Sequence, residues 1–265
     1  MLLTVSKRLE FSASRRLFSP ALSEAENRAA FGSESAARYG TGRNYVAYFV
    51  FTGEVNAING MLVNISEIKR RVEEVLHACF DHKFLNEDHP GFRDQLPTTE
   101  KVARQLFTDV EPLFGDLEAA LVACHLVETP ARSATVYAGG VVEANDWFEF
   151  SAARQTMSPH LSAAENNALF GTAASPHGHG HHYRARFTLR EEARPAEVVR
   201  CLDSLRADLD HKNLNHAVPG LTNRPKTNDS LERHRHERAA TAPRRQRVRI
   251  PEGGHVMPES WAGRA

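Results

Sequence analysis

Imidazoles gather at one place in this chain: Pro176-His177-Gly178-His179-Gly180-His181-His182-Tyr183. Side chains two apart on an extended strand point to the same face. His177, His179 and His181 are therefore candidates to converge on one metal ion, as imidazoles on β-strands do for zinc. The intervening glycines leave room for another chain segment to approach. A polar, histidine-rich loop is the alternative for the same residues. A second kind of chemistry sits at Asp81-His82-Lys83 and recurs at Asp210-His211-Lys212. A carboxylate beside an imidazole can fix its tautomer and raise its basicity, which suits general acid and base work. Adjacent residues do not automatically touch, so a plain turn at a helix end is the alternative here.

Each candidate needs a frame. Leu2 to Phe18 reads as extended, followed by a polar loop through Gly42. Tyr45 to Phe51 (YVAYFVF) is aromatic and β-branched, the composition of a buried strand. Thr52 to Asn64 carries turn residues between extended runs and predicts a hairpin. Asn64, with Glu67 three residues on, predicts an N-cap and a helix whose apolar stripe is Ile65, Ile68, Val72, Val75, Leu76 and Cys79. A second helix is expected from Pro97-Thr98-Thr99-Glu100, with Val102, Leu106 and Val110 on one face, and Leu117 to Val127 closes the unit as a strand. This order predicts an α+β fold with a largely antiparallel sheet and helices on one face.

The same unit is written twice. Glu10 to Gly32 (EFSASRRLFSPALSEAENRAAFG) aligns with Glu149 to Gly171 (EFSAARQTMSPHLSAAENNALFG), with 15 of 23 positions identical. Further on, Asp81-His82-Lys83-Phe84-Leu85-Asn86 meets Asp210-His211-Lys212-Asn213-Leu214-Asn215, and Pro90-Gly91 meets Pro219-Gly220. Two blocks in the same order indicate a tandem duplication, with domains at 1–130 and 140–265 and a linker near Thr129 to Gly140. In the second copy a short connection through Arg190 to Pro195 replaces the expected hairpin. Arg184 to Leu189 and Val248 to Ile250 are its expected later strands. Its second helix, from Leu231, carries His234, Arg235 and Arg238 where the first copy is apolar.

Composition narrows the classes. Hydrophobic residues make up 41 % and the 33 basic and 33 acidic side chains cancel, so no global field directs the chain to nucleic acid or a membrane surface. The basic stretch from Arg233 to Arg249 is short and mixed, and reads as a solvated face. No apolar run approaches the ~20 residues that span a bilayer. Met1-Leu2-Leu3 gives way at once to Ser6, Lys7 and Arg8, unlike a secretory leader. Cys79, Cys124 and Cys201 have no shared spacing and sit in apolar stretches, consistent with a reducing cytoplasm.

FSASRRL, SPALSEAEN and FG, then GxGxNY, NGMLVNISEIK, DHKFLNED, PTTEKVARQLF and LVET, resemble the 6-pyruvoyl-tetrahydropterin synthase / 6-carboxy-tetrahydropterin synthase family. The resemblance runs along nearly all of the first copy and from about Glu149 to Glu252 in the second. It implies two tandem T-folds, each a four-stranded antiparallel sheet with two helices on one face. It also implies closure into a barrel on oligomerisation, a homotrimer first, which would remove exposed sheet edges. Family enzymes hold zinc with three histidines, and this chain departs from that set. Arg15, Thr41 and Arg43 fall at the three positions in the first copy, which implies no metal there. The second copy has Arg154, His179 and His181, which leaves zinc to the second copy only, with His177 or another group as a third ligand.

The family's catalytic cysteine aligns near Glu34 and with Ala173. Surviving elements are the acid/base pairs Asp81-His82 and Asp210-His211, and the pterin-anchoring glutamate, matched by Glu128 and Glu252. A carboxylate there can pair with the two N–H groups of a 2-aminopyrimidinone edge. The threonine-acid motif is Thr98-Thr99-Glu100 in the first copy and Thr227-Asn228-Asp229 in the second. Arg15 and Arg43 either bind a carboxylate or phosphate or pair internally with a nearby glutamate. The resemblance implies a diverged lyase or cyclase acting by acid/base chemistry on a pterin-like or other heteroaromatic molecule. The alternative is a T-fold that binds a ligand, or serves as a scaffold, without catalysis.

Overall fold

The computed structural model describes residues 2–189, 195–217 and 246–249, which fall into two compact units. The first comprises residues 1–146 and 189–199. Its long strands β1 (Leu2–Arg15) and β2 (Thr41–Glu54) pair antiparallel along their whole length. β2 continues the sheet to β4 (Ala120–Thr129), and β4 pairs with β5 (Arg132–Tyr137), both antiparallel. The start of β6 (Val142–Arg154) extends it from β5, and the two-residue β3 (Lys83–Phe84) runs parallel to the end of β1.

Alternation decides which side of this sheet is packed. Leu9, Phe11 and Ala13 of β1 and Tyr45, Ala47, Phe49 and Phe51 of β2 are buried, with less buried residues between them through most of both strands. Two helices supply the facing layer: α2 (Ile65–Val75), capped by the Asn64 side chain, and α4 (Thr99–Val110). Ile68 and Val72 from α2, and Val102, Leu106 and Val110 from α4, join the sheet residues in one core. The helix predicted from Asn64 and the one predicted from Pro97 are both present.

Three features differ from expectation. The polar stretch before Gly42 contains α1 (Glu24–Phe31), opened by a reciprocal capping box in which Ser23 and Glu26 satisfy each other's backbone amides. Thr52 to Asn64 forms no hairpin. β2 ends at Glu54, and the Asn56 side chain accepts the amides of Ile58 and Asn59, so the segment folds on itself as a loop. The expected linker at Thr129 to Gly140 carries β5 instead. RSATVY is rich enough in β-formers to pair with β4, and the turn that follows uses Gly139 and Gly140 at φ 90° and 86°.

The second unit comprises residues 147–188 and 200–265. Here the remainder of β6 lies beside β7 (His179–Leu189), and β7 beside β9 (Gln246–Arg249). α5 (Ala163–Phe170) opens on the capping box of Ser162 and Glu165, matching α1. α6 (Pro195–Leu209) leads to the two-residue β8 (Lys212–Asn213), which runs parallel to the end of β6, and then to α7 (Leu214–Ala217). α3 (Leu85–Asp88) is the counterpart of α7 in the first unit. Phe148, Phe150, Tyr183, Ala185, Leu209 and Leu214 form the second core. Glu252, Thr227, Asn228, Asp229 and the helix expected from Leu231 lie outside the described residues.

Leu106 is fully buried where α4 meets the sheet. Leu106→Ala is therefore expected to cost about 2–5 kcal/mol, read as a lower urea midpoint with an unchanged slope.

Candidate functional site

Strand parity and register assemble the first group of polar side chains. Arg15 continues the inward row of Phe11 and Ala13, and stands opposite Thr41, while Ala13 stands opposite Arg43. Glu128 continues the inward row of Cys124 and Leu126 on β4. The apolar face of the sheet thus ends in two guanidiniums and a carboxylate, and Arg15 is 1 % exposed and Glu128 4 %. Gly40 brings the start of β2 close to β1. Its φ is +76°, and a Cβ there would fall 2.4 Å from the Arg15 carbonyl oxygen. Gly178 repeats this in the second unit at φ +71°, 2.8 Å from the Arg154 carbonyl oxygen.

Every charge in this group has a partner. Glu128 Oε1 accepts from Arg15 Nε at 3.1 Å, from Arg15 Nη2 and from Arg43 Nε at 2.9 Å, and Oε2 accepts from the Thr99 hydroxyl. Glu34, on the short turn after α1, accepts from Arg43 Nη2 and lies 3.3 Å from Arg15 Nη1. Arg43 Nη1 donates to the Thr41 hydroxyl at 3.0 Å. Two guanidiniums and two carboxylates cancel. Burial alone would push the Glu128 carboxyl up, but the Arg15 guanidinium and the Thr99 hydroxyl outweigh it and hold it below the usual carboxylate range. Burial, reinforced by the Glu128 charge, pushes the neighbouring Tyr45 hydroxyl well up.

Beside this group lies a small cleft of about 50 Å³, walled by Arg15, Thr98, Thr99, Glu100, Arg132 and Asp146 among others. Thr98 is the N-cap of α4, yet its hydroxyl makes no capping bond and has no partner, although the residue is 8 % exposed. Arg132 Nε donates to Asp146 at 2.8 Å across the β5–β6 pair. Of the expected ligand-binding residues, Arg15, Arg43 and Glu128 are joined in one cluster, and Glu100 lines the cleft next to it.

The Asp-His pairs take one geometry twice. The Asp81 carboxylate lies 2.9 Å from His82 Nδ1 and accepts the Ser12 amide at 2.9 Å, while the His82 amide donates to the Ser12 carbonyl. Asp210 lies 3.1 Å from His211 Nδ1 and accepts the Ser151 amide at 2.9 Å, while the His211 amide donates to the Ser151 carbonyl. Among the described residues, His82 and His211 are the non-glycines at positive φ, at 59° and 54°. Such a conformation costs about 1–3 kcal/mol and persists only where surroundings impose it. Burial works against the Asp81 charge, and the Ser12 amide and the His82 imidazole outweigh it, holding its carboxyl low.

The rest of the motif is structural. Asn86 clamps the Arg16 backbone through both amide atoms, as Asn215 clamps Gln155. Both imidazoles of the pairs remain exposed. No hydrogen bond or ion pair among the described residues joins the Asp81–His82 pair to the Arg15–Glu128 cluster.

In the second unit, Arg154 ends β6 as Arg15 ends β1, and the His179 and His181 rings stand 4.7 Å apart on β7. The alternation that groups them stops at Gly178, which turns the chain, so His177 precedes the strand. Among the described residues no group of three or more His, Cys, Asp and Glu side chains is placed to hold a metal ion. The first unit does not fit zinc, since guanidiniums and a hydroxyl stand at its three positions. The second offers two imidazoles and would need a donor from outside these residues. Reading by spacing missed Glu34 as a member of the cluster, and Arg132 and Asp146 as walls of the cleft. Glu34 had a signal: an acidic residue just after FG, where the second copy has Ala173.

A profile of 6-pyruvoyl tetrahydropterin synthase matches residues 4–139. The chain belongs to the 6-pyruvoyl tetrahydropterin synthase family. The human 6-pyruvoyl tetrahydrobiopterin synthase is 38 % identical over 107 residues, covering 40 % of this chain and 73 % of that protein. The 6-carboxy-5,6,7,8-tetrahydropterin synthase of Bacillus subtilis is 35 % identical over 95 residues, 34 % of this chain and 62 % of that one. The solved Caenorhabditis elegans 6-pyruvoyl tetrahydropterin synthase superposes with a TM-score of 0.48 at 30 % identity, covering 52 % of this chain and 96 % of that one. No described helix is long and apolar enough to cross a membrane.

Glu128→Gln leaves Arg15 and Arg43 sharing the single counter-charge of Glu34 and is expected to cost about 3–5 kcal/mol at neutral pH. The folded carboxyl titrates below its unfolded value, so its contribution is full above the ordinary carboxylate range and fades as pH falls through the folded value. In urea denaturation the gap between wild type and variant should narrow below about pH 4; a constant gap down to about pH 3 would refute the ion pairing. At the Asp-His turn, His82→Val should melt well below His82→Gly, because a β-branched residue tolerates positive φ worst; equal melting temperatures would show that the turn is unstrained.

Proposed function

We propose that this chain is a diverged pterin-synthase-like enzyme of lyase or cyclase type, using Asp81–His82 and Asp210–His211 for acid/base chemistry on a pterin-like or other heteroaromatic small molecule. The observation that carries this reading is the twice-built Asp-His turn. In each unit a non-glycine is held at positive φ, with its imidazole beside a carboxylate that a backbone amide already anchors. Such a carboxylate orients the ring, leaving Nε2 to exchange a proton with a ligand.

The cleft at the start of α4 is the proposed binding place in the first copy. Thr98 offers a hydroxyl, Glu100 an acceptor and Arg132 a cation to a ring edge that presents both donors and acceptors. Glu128 supports this wall from behind, through Thr99. The exposed imidazoles act where another subunit brings a ligand to them, so the proposal includes association into a homotrimer of tandem T-folds, which also covers sheet edges. Zinc, within the same proposal, belongs to the second copy alone, on His179 and His181 with one further donor. A ligand-binding protein without catalysis is the second reading, favoured by the self-neutralised Arg15–Glu128 cluster.

The purified chain should convert a reduced pterin bearing an oxygenated side chain, followed by chromatography with fluorescence detection. Replacing both His82 and His211 by Asn should lower turnover about 10²–10⁴-fold while ligand binding persists. Full activity in that double variant would overturn the acid/base assignment, and tight binding with no turnover by the wild type would establish the second reading.

A further inference from the structure

We infer that the first unit has exchanged its family's metal for an arginine pair, buried Arg15 and half-buried Arg43, as the permanent cations of the pocket, with Glu34 and Glu128 as their counter-charges and no zinc taken up. All three positions that resemble metal ligands are bound into one network: Arg15 and Arg43 both donate to Glu128, and Arg43 also donates to the Thr41 hydroxyl. An imidazole must be neutral to ligate a metal, whereas a guanidinium keeps its proton and its charge in a protein. A divalent ion brought to this place would meet two fixed positive charges, and both carboxylates are already engaged.

The comparison between copies points the same way. Glu34 and Arg43 occur together in the first copy, and the corresponding residues of the second are the uncharged Ala173 and the imidazole of His181. The acid and the base of this pair are present together or replaced together, as expected of a residue and its counter-ion. The inference does not depend on whether the Asp-His pairs are catalytic. It assigns Glu128 to Arg15 and Arg43 rather than to a ligand's N–H groups.

The test uses the full chain with His179→Ala and His181→Ala, so that any zinc bound reports on the first unit. After incubation with zinc chloride and gel filtration, elemental analysis should find no bound metal above background, and neither zinc nor EDTA should move the melting temperature. One zinc per chain in this background, or a melting temperature that falls on adding EDTA, would overturn the exchange. A double-mutant cycle supplies a second readout. Arg15→Met and Glu128→Gln should each lower the melting temperature, and the pair together should lower it less than the two losses summed, because Arg43 and Glu34 remain balanced. Strictly additive losses would show that the two residues are not counter-ions. Should a single variant fail to fold, the zinc and EDTA measurements on otherwise native protein decide alone.

Discussion

A carboxylate taken out of water must be met by charge, and in the first unit that requirement falls on Glu128. Its two oxygens draw together the end of β1 through Arg15, the start of β2 through Arg43 and the start of α4 through Thr99. Arg43 extends the set to Glu34 and the turn after α1. Five segments, counting the β4 strand that carries Glu128, thus share one charge balance centred on a buried carboxylate. Removing any member leaves another uncompensated in a medium where unpaired charge is costly. The apolar core below can form from any well-sized residues. The polar end of the sheet tolerates far fewer combinations.

The two units show how much of this frame is independent of the chemistry mounted on it. Each has an opening capping box, a glycine pressed against the arginine that ends the first strand, an Asp-His turn at positive φ and an asparagine clamp. These devices act through the backbone, so they survive exchanges of neighbouring side chains. What differs lies where side chains converge: Thr41 and Arg43 against His179 and His181. One unit carries a closed charge balance there, the other a pair of imidazoles.

Strands and helices that bury a face were legible, because period two and period 3.6 leave their mark on hydrophobic residues. Tyr45 to Phe51 and the stripe from Ile65 were found for that reason. Helix α1 was not, since its eight residues bury little and its signal is the Ser23–Glu26 box rather than a stripe. The linker near Pro130 concealed β5 because turn residues at Pro130, Gly139 and Gly140 flank a strand only six residues long. At the site, the recurrence of Asp-His-Lys marked the Asp-His pairs, and the family resemblance marked Arg15, Arg43 and Glu128. Neither could say whether the arginines face a ligand or a glutamate, because that depends on register between distant strands. Glu34 lies nine residues from Arg43 and Glu128 lies 85, and no local pattern links the three.

The contact of Gly40 with the Arg15 carbonyl sets a fixed distance between the strand end that carries residue 15 and the strand start that carries residues 41 and 43. Gly178 makes the same kind of close approach to the Arg154 carbonyl in the second unit. Side chains mounted on that span can be exchanged without moving the ribbon beneath them. Only a few codons therefore separate a pair of imidazoles from an internally balanced salt lattice. The chain carries both arrangements, each on a frame built from the same backbone devices.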